Sequence, residues 1–179
     1  MSQACGIKEA YNDSAKGAFQ LYTVLVDHMT SPIPPTLSFE QAAVLPLALS
    51  TAACGLFLQD QLALSLPTIP HPKPRGKTLL IWGGATSVGC NAIQLAVAAG
   101  YEVITTSSPQ NFELMKKLGA SQVFDYKSKT VIPDITGAFK GKTTAGALTM
   151  GTGAAEACLD ILNKLQWRQV HLHGHLPTA

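Results

Sequence analysis

A glycine-rich turn is the feature that most constrains how this chain can fold. The turn Gly83-Gly84-Ala85-Thr86-Ser87-Val88-Gly89 directly follows the apolar run Thr78–Trp82 and leads into a helix-like stretch that closes at Gly100. Glycines in such a turn let the backbone approach a pyrophosphate, and the helix N-terminus offers free N–H groups to the anion. The pattern predicts a dinucleotide site, although Thr86 stands where the usual fingerprint has its middle glycine. The alternative is a tight turn without a ligand.

Strand-like and helix-like stretches alternate regularly after this turn begins. The predicted strands are 78–82, 102–106, 122–126 and 145–150, and the predicted helices are 87–99, 109–118, 130–140 and 154–165. Alternation of this kind specifies a parallel sheet with right-handed crossovers. We therefore predict an α/β fold, a doubly wound parallel sheet of Rossmann type with about four or five strands and helices on both faces.

The chain carries unusually few charges. Only 13% of its 179 residues are charged and 46% are hydrophobic, whereas an average soluble domain has about 25% charged residues. This balance suits a sheet that is buried on both faces, and it also suits a chain that has lost a partner domain. The net charge of +2 comes without a basic stripe, which argues against a nucleic-acid partner.

The four cysteines are widely scattered, at Cys5, Cys54, Cys90 and Cys158. No pair of them has a metal-ligand spacing, so free thiols in a reducing compartment are the simplest interpretation. The N-terminus lacks the apolar core of a secretory signal. We therefore expect a cytoplasmic protein without a bound metal.

The first part of the chain is less regular. The run Gly17–Val26 is aromatic and β-branched enough to predict a strand, and a proline-rich connector follows at 31–35. Ser38 and Gln41 then predict a capping box at the start of a helix. The uncharged stretch Ala42–Leu58 falls just short of the roughly 18 apolar residues of a membrane span. We expect it to be a buried helix and not a membrane segment.

The end of the second predicted strand carries no acidic residue. Enzymes that prefer NAD place an Asp or Glu there for the ribose hydroxyls, whereas this chain has Ile104–Ser108. A carboxylate would repel a 2′-phosphate, while small hydroxyls leave room for it and can donate hydrogen bonds. Ser108-Pro109 also resembles a helix start, whose positive end favours an anion. These features favour NADPH over NADH, although no arginine lies nearby.

The predicted cofactor contacts fall into three groups. They are Gly84, Thr86, Ser87, Val88 and Gly89 at the pyrophosphate, then Ser107, Ser108 and Asn111 at the 2′-phosphate, and Tyr126 at the adenine-ribose end. For the two serines the alternative is plain helix capping, and for the tyrosine it is a half-buried position at a strand end.

Several short motifs together resemble the medium-chain dehydrogenase/reductase superfamily. They are Gly17–Thr23, Ser38–Leu47, the turn Gly83–Gly89, Leu118–Ala120 and Val123–Tyr126. Within the superfamily the chain is similar to fungal zinc-binding-dehydrogenase-like proteins, which resemble trans-acting enoyl reductases of polyketide pathways. The resemblance implies zinc-free, NADPH-dependent hydride transfer to a small enone, enoyl or quinone substrate. It also places Thr51 near the nicotinamide, where the alternative is a helix threonine bonded to its own backbone.

The resemblance also implies a domain organisation. Residues 1–37 correspond to a remnant of a GroES-like catalytic domain with its connector, 38–165 to a truncated NADP-binding domain of Rossmann type, and 166–179 to an atypical tail. Most substrate contacts and any proton donor of the family belong to the GroES-like domain, so no catalytic residue is assigned here. If the 179-residue chain were active, a homo-oligomer or a partner subunit would have to complete the site.

The tail after Leu165 breaks the alternation. Its three histidines, His171, His173 and His175, stand at alternate positions and would face one way on a strand, as in a metal site. However, reading the possible codons of Trp167–Pro177 one base later permits a plausible fifth strand. We interpret the tail as the product of a shifted reading frame or a misplaced splice site.

Three functions therefore stay open from the sequence. The first is an NADPH-dependent oxidoreductase of the enoyl or quinone reductase type, in intact or truncated form. The second is a nucleotide-binding remnant without chemistry of its own, and the third is an inactive gene-model fragment.

Overall fold

The protein is represented by a computed structural model, which describes residues 2–4, 14–25, 27 and 30–166. Cys5 and the tail from Trp167 onward lie outside the described residues, and so do the three histidines of the tail. The chain divides into two compact units, Met1–Ser50 and Thr51–Ala179.

The first unit contains little regular structure. Two short strands, β1 (Ser2–Ala4) and β2 (Thr30–Pro32), pair in antiparallel fashion. Helix α1 (Phe39–Ala43) is followed by α2 (Leu45–Phe57), and the boundary between the two units falls within α2.

The predicted capping box is confirmed at the start of α1. The Ser38 hydroxyl oxygen accepts from the Gln41 N–H at 3.3 Å, and the Gln41 side-chain oxygen accepts from the Ser38 N–H at 3.0 Å. Two backbone donors at the helix start thus gain partners, which fixes where the helix begins.

The prediction of a strand at Gly17–Val26 is wrong for residues 17–25, which form bends and no strand, while Val26 lies outside the described residues. This segment folds back on itself through side-chain hydrogen bonds. The Gln20 amide donates to the carbonyls of Ala15 at 2.8 Å and Gly17 at 2.7 Å, and the Thr23 hydroxyl donates to Gly17 at 2.7 Å. Such local bonds to the backbone compete with strand pairing.

The apolar stretch at α1 and α2 is helical, as predicted, but only one stripe of it is buried. Ala42, Ala48, Ala52 and Leu56 are buried, whereas Leu47 is 77% exposed. By length and composition alone, residues 39–57 could cross a membrane: they are 19 residues long with a mean hydropathy of 1.3, and 22% of that window is buried. The prediction of a buried helix is therefore wrong for most of its side chains.

A four-stranded parallel sheet forms the centre of the second unit. Its strands are β3 (Lys77–Trp82), β4 (Glu102–Ser107), β5 (Gln122–Asp125) and β6 (Thr143–Thr149). They lie in the order β5-β4-β3-β6, and all three neighbouring pairs are parallel. The helices that follow these strands are α3 (Ser87–Ala98), α4 (Phe112–Lys117), α5 (Val131–Ala138) and α6 (Ala154–Lys164), with a short 3₁₀ turn at Pro109–Asn111 before α4.

The strands of this sheet are buried on both faces. Along β3, Leu79 and Ile81 pack into one hydrophobic cluster, which includes residues of α3 and Met115 of α4. Leu80 and Trp82 point to the opposite face and pack with residues of α5 and α6. Alternate side chains of one strand thus serve two cores, which confirms the predicted doubly wound α/β fold of Rossmann type.

An ion pair connects the strands at the edge of the sheet where the parallel strands begin. Glu102 at the start of β4 accepts from the Lys142 ammonium, at 2.6 Å to Oε2, and from the Thr78 hydroxyl at 2.8 Å. Thr78 lies opposite Glu102 in the ladder between β3 and β4, and Lys142 immediately precedes β6. The Lys142 ammonium lowers the pKa of Glu102, aided by hydroxyl groups, although partial burial opposes this shift.

The lowered pKa predicts how this ion pair responds to acid. A carboxyl whose pKa is lower in the folded chain stabilises the fold fully above its unfolded pKa of about 4.3, and this contribution disappears as the pH falls through the folded value. We expect Glu102→Gln to lower the free energy of unfolding at neutral pH by at most about 1 kcal/mol, because the pair is partly exposed.

Urea unfolding at several pH values measures this effect. The difference between the parent and Glu102→Gln should shrink as the solution is acidified. Asp160→Asn, which breaks the more exposed pair between Asp160 and Lys164 on α6, is the matched control and should have a smaller effect at neutral pH. A difference for Glu102→Gln that does not change with pH would contradict the assignment.

Candidate dinucleotide site

The glycine turn is fastened to the end of the neighbouring strand β4. The N–H of Gly83 donates to the Thr106 hydroxyl oxygen at 3.0 Å, and the N–H of Gly84 donates to the Thr106 carbonyl at 2.9 Å. Gly83 has a φ of +87°, which favours glycine, and a Cβ there would lie 2.8 Å from the Met150 carbonyl oxygen. The turn therefore leaves β3 in one defined direction.

Gly84 and Gly89 allow close packing underneath the turn. A Cβ on Gly89 would lie 2.7 Å from both the Cα and the carbonyl oxygen of Gly84, so that the first turn of α3 rests directly on the backbone of the glycine turn. A Cβ on Gly84 would collide with the Thr105 hydroxyl and lie 3.0 Å from the Met115 sulfur. Both glycines are buried, so their contribution to the site is the shape of the backbone above them.

Thr86 is the N-cap of α3. Its hydroxyl oxygen accepts from the Gly89 N–H at 3.0 Å, and its hydroxyl donates to the Gly83 carbonyl at 2.9 Å. This explains why a threonine replaces the middle glycine of the usual fingerprint. The first N–H groups of a helix have no partner within it, so with Gly89 satisfied, the N–H groups of Ser87 and Val88 stay available to an anion.

A cleft of about 380 Å³ opens beside the turn. Its walls come from the ends of β3, β4 and β6, the glycine turn and the residue after β5, and they consist of Trp82, Gly83, Ala85, Thr86, Ser107, Ser108, Tyr126, Met150, Gly151 and Thr152. None of these described wall residues carries a carboxylate or an ammonium group. The cleft thus lies at the carboxyl ends of the strands, where open α/β sheets bind their ligands.

Sequence reasoning missed one wall of this cleft, the segment Met150–Thr152 that follows β6. Gly151 has a φ of +105° and Gly153, the N-cap of α6, a φ of +75°. Both loops thus place glycines between the end of a parallel strand and the start of a helix. That composition was the signal that could have identified this loop.

The residues predicted for the 2′-phosphate form a linked group at the end of β4. Ser107 and Ser108 line the cleft, and the Ser107 hydroxyl donates to the Ser108 carbonyl at 3.1 Å. The Asn111 amide donates to the Ser108 hydroxyl oxygen at 3.1 Å. Because Ser108 accepts this bond, its own hydroxyl proton stays available to a ligand. Its side chain makes no helix-cap hydrogen bond, so plain capping does not describe it.

The other predicted site residues divide between the cleft and its surroundings. Tyr126 lines the cleft with 44% of its surface exposed and directly follows the last residue of β5, so its role at the adenine-ribose end stays a prediction beside the strand-end alternative. Three other predicted residues lie next to wall residues without lining the cleft themselves. Ser87 and Val88 follow Thr86 in the chain, and Asn111 is hydrogen-bonded to Ser108. Thr51 lies exposed on α2 and outside the described wall, so its role near a nicotinamide stays a prediction.

The cysteines and possible metal ligands lie apart from one another in the described part of the chain. Cys54, Cys90 and Cys158 are free thiols, as predicted. Burial raises the pKa of Cys90, whose sulfur lies 3.4 Å from the Gly84 carbonyl oxygen, and raises the pKa of Cys158 to about 12. Among the described residues, no group of three or more His, Cys, Asp or Glu side chains is placed to bind a metal.

Comparison with known proteins agrees with this geometry. Residues 87–165 match the family model described as zinc-binding dehydrogenase. The dehydrogenase pigH of Monascus ruber is 62% identical over 166 residues, 93% of this chain and 45% of that protein. The trans-enoyl reductase himH of Aspergillus japonicus is 51% identical over 114 residues, 64% of this chain and 32% of that protein.

Solved structures agree as well. The quinone oxidoreductase of Escherichia coli, solved in complex with NADPH, matches with a TM-score of 0.60 and 26% identity over 76% of this chain and 39% of that protein. The chain therefore contains a zinc-binding dehydrogenase domain of the medium-chain dehydrogenase/reductase class. It is homologous to fungal dehydrogenases and trans-enoyl reductases, which confirms the resemblance, and it spans less than half the length of these relatives.

The packing under the turn predicts that one added methyl group at Gly89 destabilises the fold strongly. Gly89→Ala should lower the free energy of unfolding by about 1–3 kcal/mol, because the backbone atoms of Gly83 and Gly84 cannot yield without moving the turn. The matched control is Gly137→Ala in α5, where a Cβ would meet nothing within 4 Å.

Urea unfolding of both variants checks this prediction. Gly137→Ala should be neutral or stabilising by up to about 1 kcal/mol, since alanine favours a helix over glycine. Equal stability of the two variants would show that the turn and α3 are not in the contact described.

Proposed function

We propose that the cleft binds NADPH, and that the protein is an NADPH-dependent oxidoreductase of the enoyl or quinone reductase type. The observation that carries this proposal is the cleft itself. It combines a fixed glycine turn, unpaired N–H groups at the start of α3 and a wall whose described residues carry no carboxylate, all at the carboxyl edge of one parallel sheet. This combination suits a ligand that carries a pyrophosphate and a further phosphate.

The pyrophosphate is assigned to the start of α3. The N–H groups of Ser87 and Val88 would donate to it. Gly84 and Gly89 allow α3 to pack directly on the glycine turn, so that no side chain at these two positions would obstruct the pyrophosphate. Thr86 contributes by fixing the first turn of the helix, since its hydroxyl proton is already donated to Gly83. A helix N-terminus also favours an anion through its dipole.

The 2′-phosphate is assigned to the corner formed by Ser107, Ser108 and Asn111. Ser108 supports this assignment, because its hydroxyl receives a bond from Asn111 and can therefore donate to a phosphate oxygen. The ring of Tyr126, exposed at the same side of the cleft, would contact the adenine-ribose part. The relative from Escherichia coli was solved with NADPH, which supports the same choice of cofactor.

The chemistry proposed is that of the relatives. A bound nicotinamide supplies a hydride to an electron-poor carbon of an enone, enoyl or quinone substrate. The described residues bind and orient the cofactor, and they help to exclude water on one side of the cleft. We assign no proton donor among them.

We propose that residues 1–37 belong to a GroES-like domain. Further parts of that domain, or a second subunit, would complete the site. We also propose that the enzyme acts without zinc and in the cytoplasm.

The cofactor assignment is tested by titration with the two nicotinamide nucleotides. NADPH should bind the purified chain about tenfold more tightly than NADH, the difference expected for a charge-assisted hydrogen bond to the 2′-phosphate. Isothermal titration or competition with a fluorescent nucleotide measures both constants. Equal affinity for the two would contradict the assignment of the serine corner.

The three open functions are separated by activity measurements. The 179-residue chain should bind NADPH weakly and reduce enones or quinones poorly or not at all. A version extended with the N-terminal half of a relative should oxidise NADPH in the presence of an enone or quinone.

Each other outcome identifies a different function. Binding without turnover in the extended version would indicate a nucleotide-binding remnant, and no binding in either version would indicate an inactive fragment. Robust turnover by the 179-residue chain would contradict the expected need for additional residues, unless self-association completes the site.

A further inference from the structure

A lysine stands beside the cleft at its adenine-ribose end. The Lys127 ammonium lies 5.7 Å from the centre of the Tyr126 ring, and Tyr126 is a wall residue of the cleft. Within the described part of the chain, no carboxylate forms an ion pair with this ammonium group. A positive charge is therefore available next to a cleft whose own wall has none.

The turn after β5 keeps this lysine in place. Asp125, the last residue of β5, accepts from the backbone N–H of Lys127 at 2.9 Å, and its carbonyl accepts from the Ser128 N–H at 3.0 Å. The carboxylate of Asp125 is thus engaged by the backbone of the turn and not by the ammonium. Lys129 follows in the same segment, and among the described residues its ammonium has no aromatic ring beneath it.

The register of the sheet brings this turn beside the serine corner. Ser107 of β4 lies opposite Asp125 of β5, so the two strands end level with each other. Ser108 continues from one strand end and Tyr126-Lys127 from the next. A hydroxyl donor and a flexible ammonium consequently flank the same end of the cleft.

We propose that Lys127 is a specificity-determining residue that recognises the 2′-phosphate of the cofactor. The inference rests on the proposed NADPH site and adds to it the cation that the serine corner lacks. Lysine provides a point charge on a flexible stem, and the Tyr126 ring favours an ammonium near its face. The ring would direct the ammonium toward the cleft while the hydroxyl of Ser108 donates from the opposite side.

The test compares two small probes, 2′,5′-ADP and 5′-AMP, which differ only in the 2′-phosphate. Isothermal titration measures their affinities for the 179-residue chain, for Lys127→Met and for the neighbouring control Lys129→Met. We expect Lys127→Met to weaken 2′,5′-ADP about three- to tenfold, the range for a partly exposed ion pair to a phosphate, and to leave 5′-AMP within about twofold. Lys129→Met should change neither, and Lys127→Arg should retain the preference.

The outcomes distinguish the inference from the proposed function. Unchanged 2′,5′-ADP affinity in Lys127→Met would overturn the inference while leaving the NADPH site in place. Equal weakening of both probes would also overturn it, because the lysine would then act on the adenosine through Tyr126. A parent chain that binds neither probe would overturn the proposed function itself, and the inference with it. Loss of the effect at high salt would support a charge interaction.

Discussion

The close contact between the backbone of α3 and the glycine turn is the constraint on which the site depends. Gly89 rests on Gly84, and Gly84 rests on the hydroxyl of Thr105 and the side chain of Met115. The first turn of α3 can therefore lie almost against the carboxyl end of β3. If either glycine had a side chain, the helix or the turn would have to move from this position.

The described wall of the cleft is polar without being charged. It consists of apolar, hydroxyl and glycine residues, and it includes Thr86, the N-cap of α3. The ion pair of Glu102 and Lys142 lies at the opposite edge of the sheet, where the strands begin. This ion pair is therefore separated from the cleft by the length of the strands, whereas Asp125, at the carboxyl edge, has its carboxylate engaged by the backbone N–H of Lys127.

The sequence was sufficient to predict the second unit, because its signals are local. Alternating apolar runs and glycines located all four parallel strands and the helices between them, and Ser38 with Gln41 located the start of α1. The segment 17–25 was predicted wrongly because its aromatic and β-branched residues favour a strand only where a neighbouring strand offers pairing. Side-chain bonds from Gln20 and Thr23 determined its conformation instead, and propensity cannot reveal such bonds.

The site was predictable only in part for a related reason. The glycine turn and the serine corner follow strands that are adjacent in sequence, whereas Met150–Thr152 reaches the cleft through the pairing of β6 with β3. The function of Thr86 as the N-cap was also not predicted. The usual fingerprint has a glycine at this position, so the comparison with it showed only that a glycine was missing. Predicting a contact that depends on the order of strands requires the topology of the sheet as well as the amino-acid sequence.

The fastening of the turn to Thr106 has a kinetic consequence. Gly83 and Gly84 are bonded to β4, and Gly83 to Thr86, by hydrogen bonds that the chain makes within itself. Binding at this end of the cleft would then require little reordering of the backbone, so association should be governed by diffusion and by the charge of the ligand. Related dinucleotides would enter at similar rates, and the protein would distinguish them by how long each one stays.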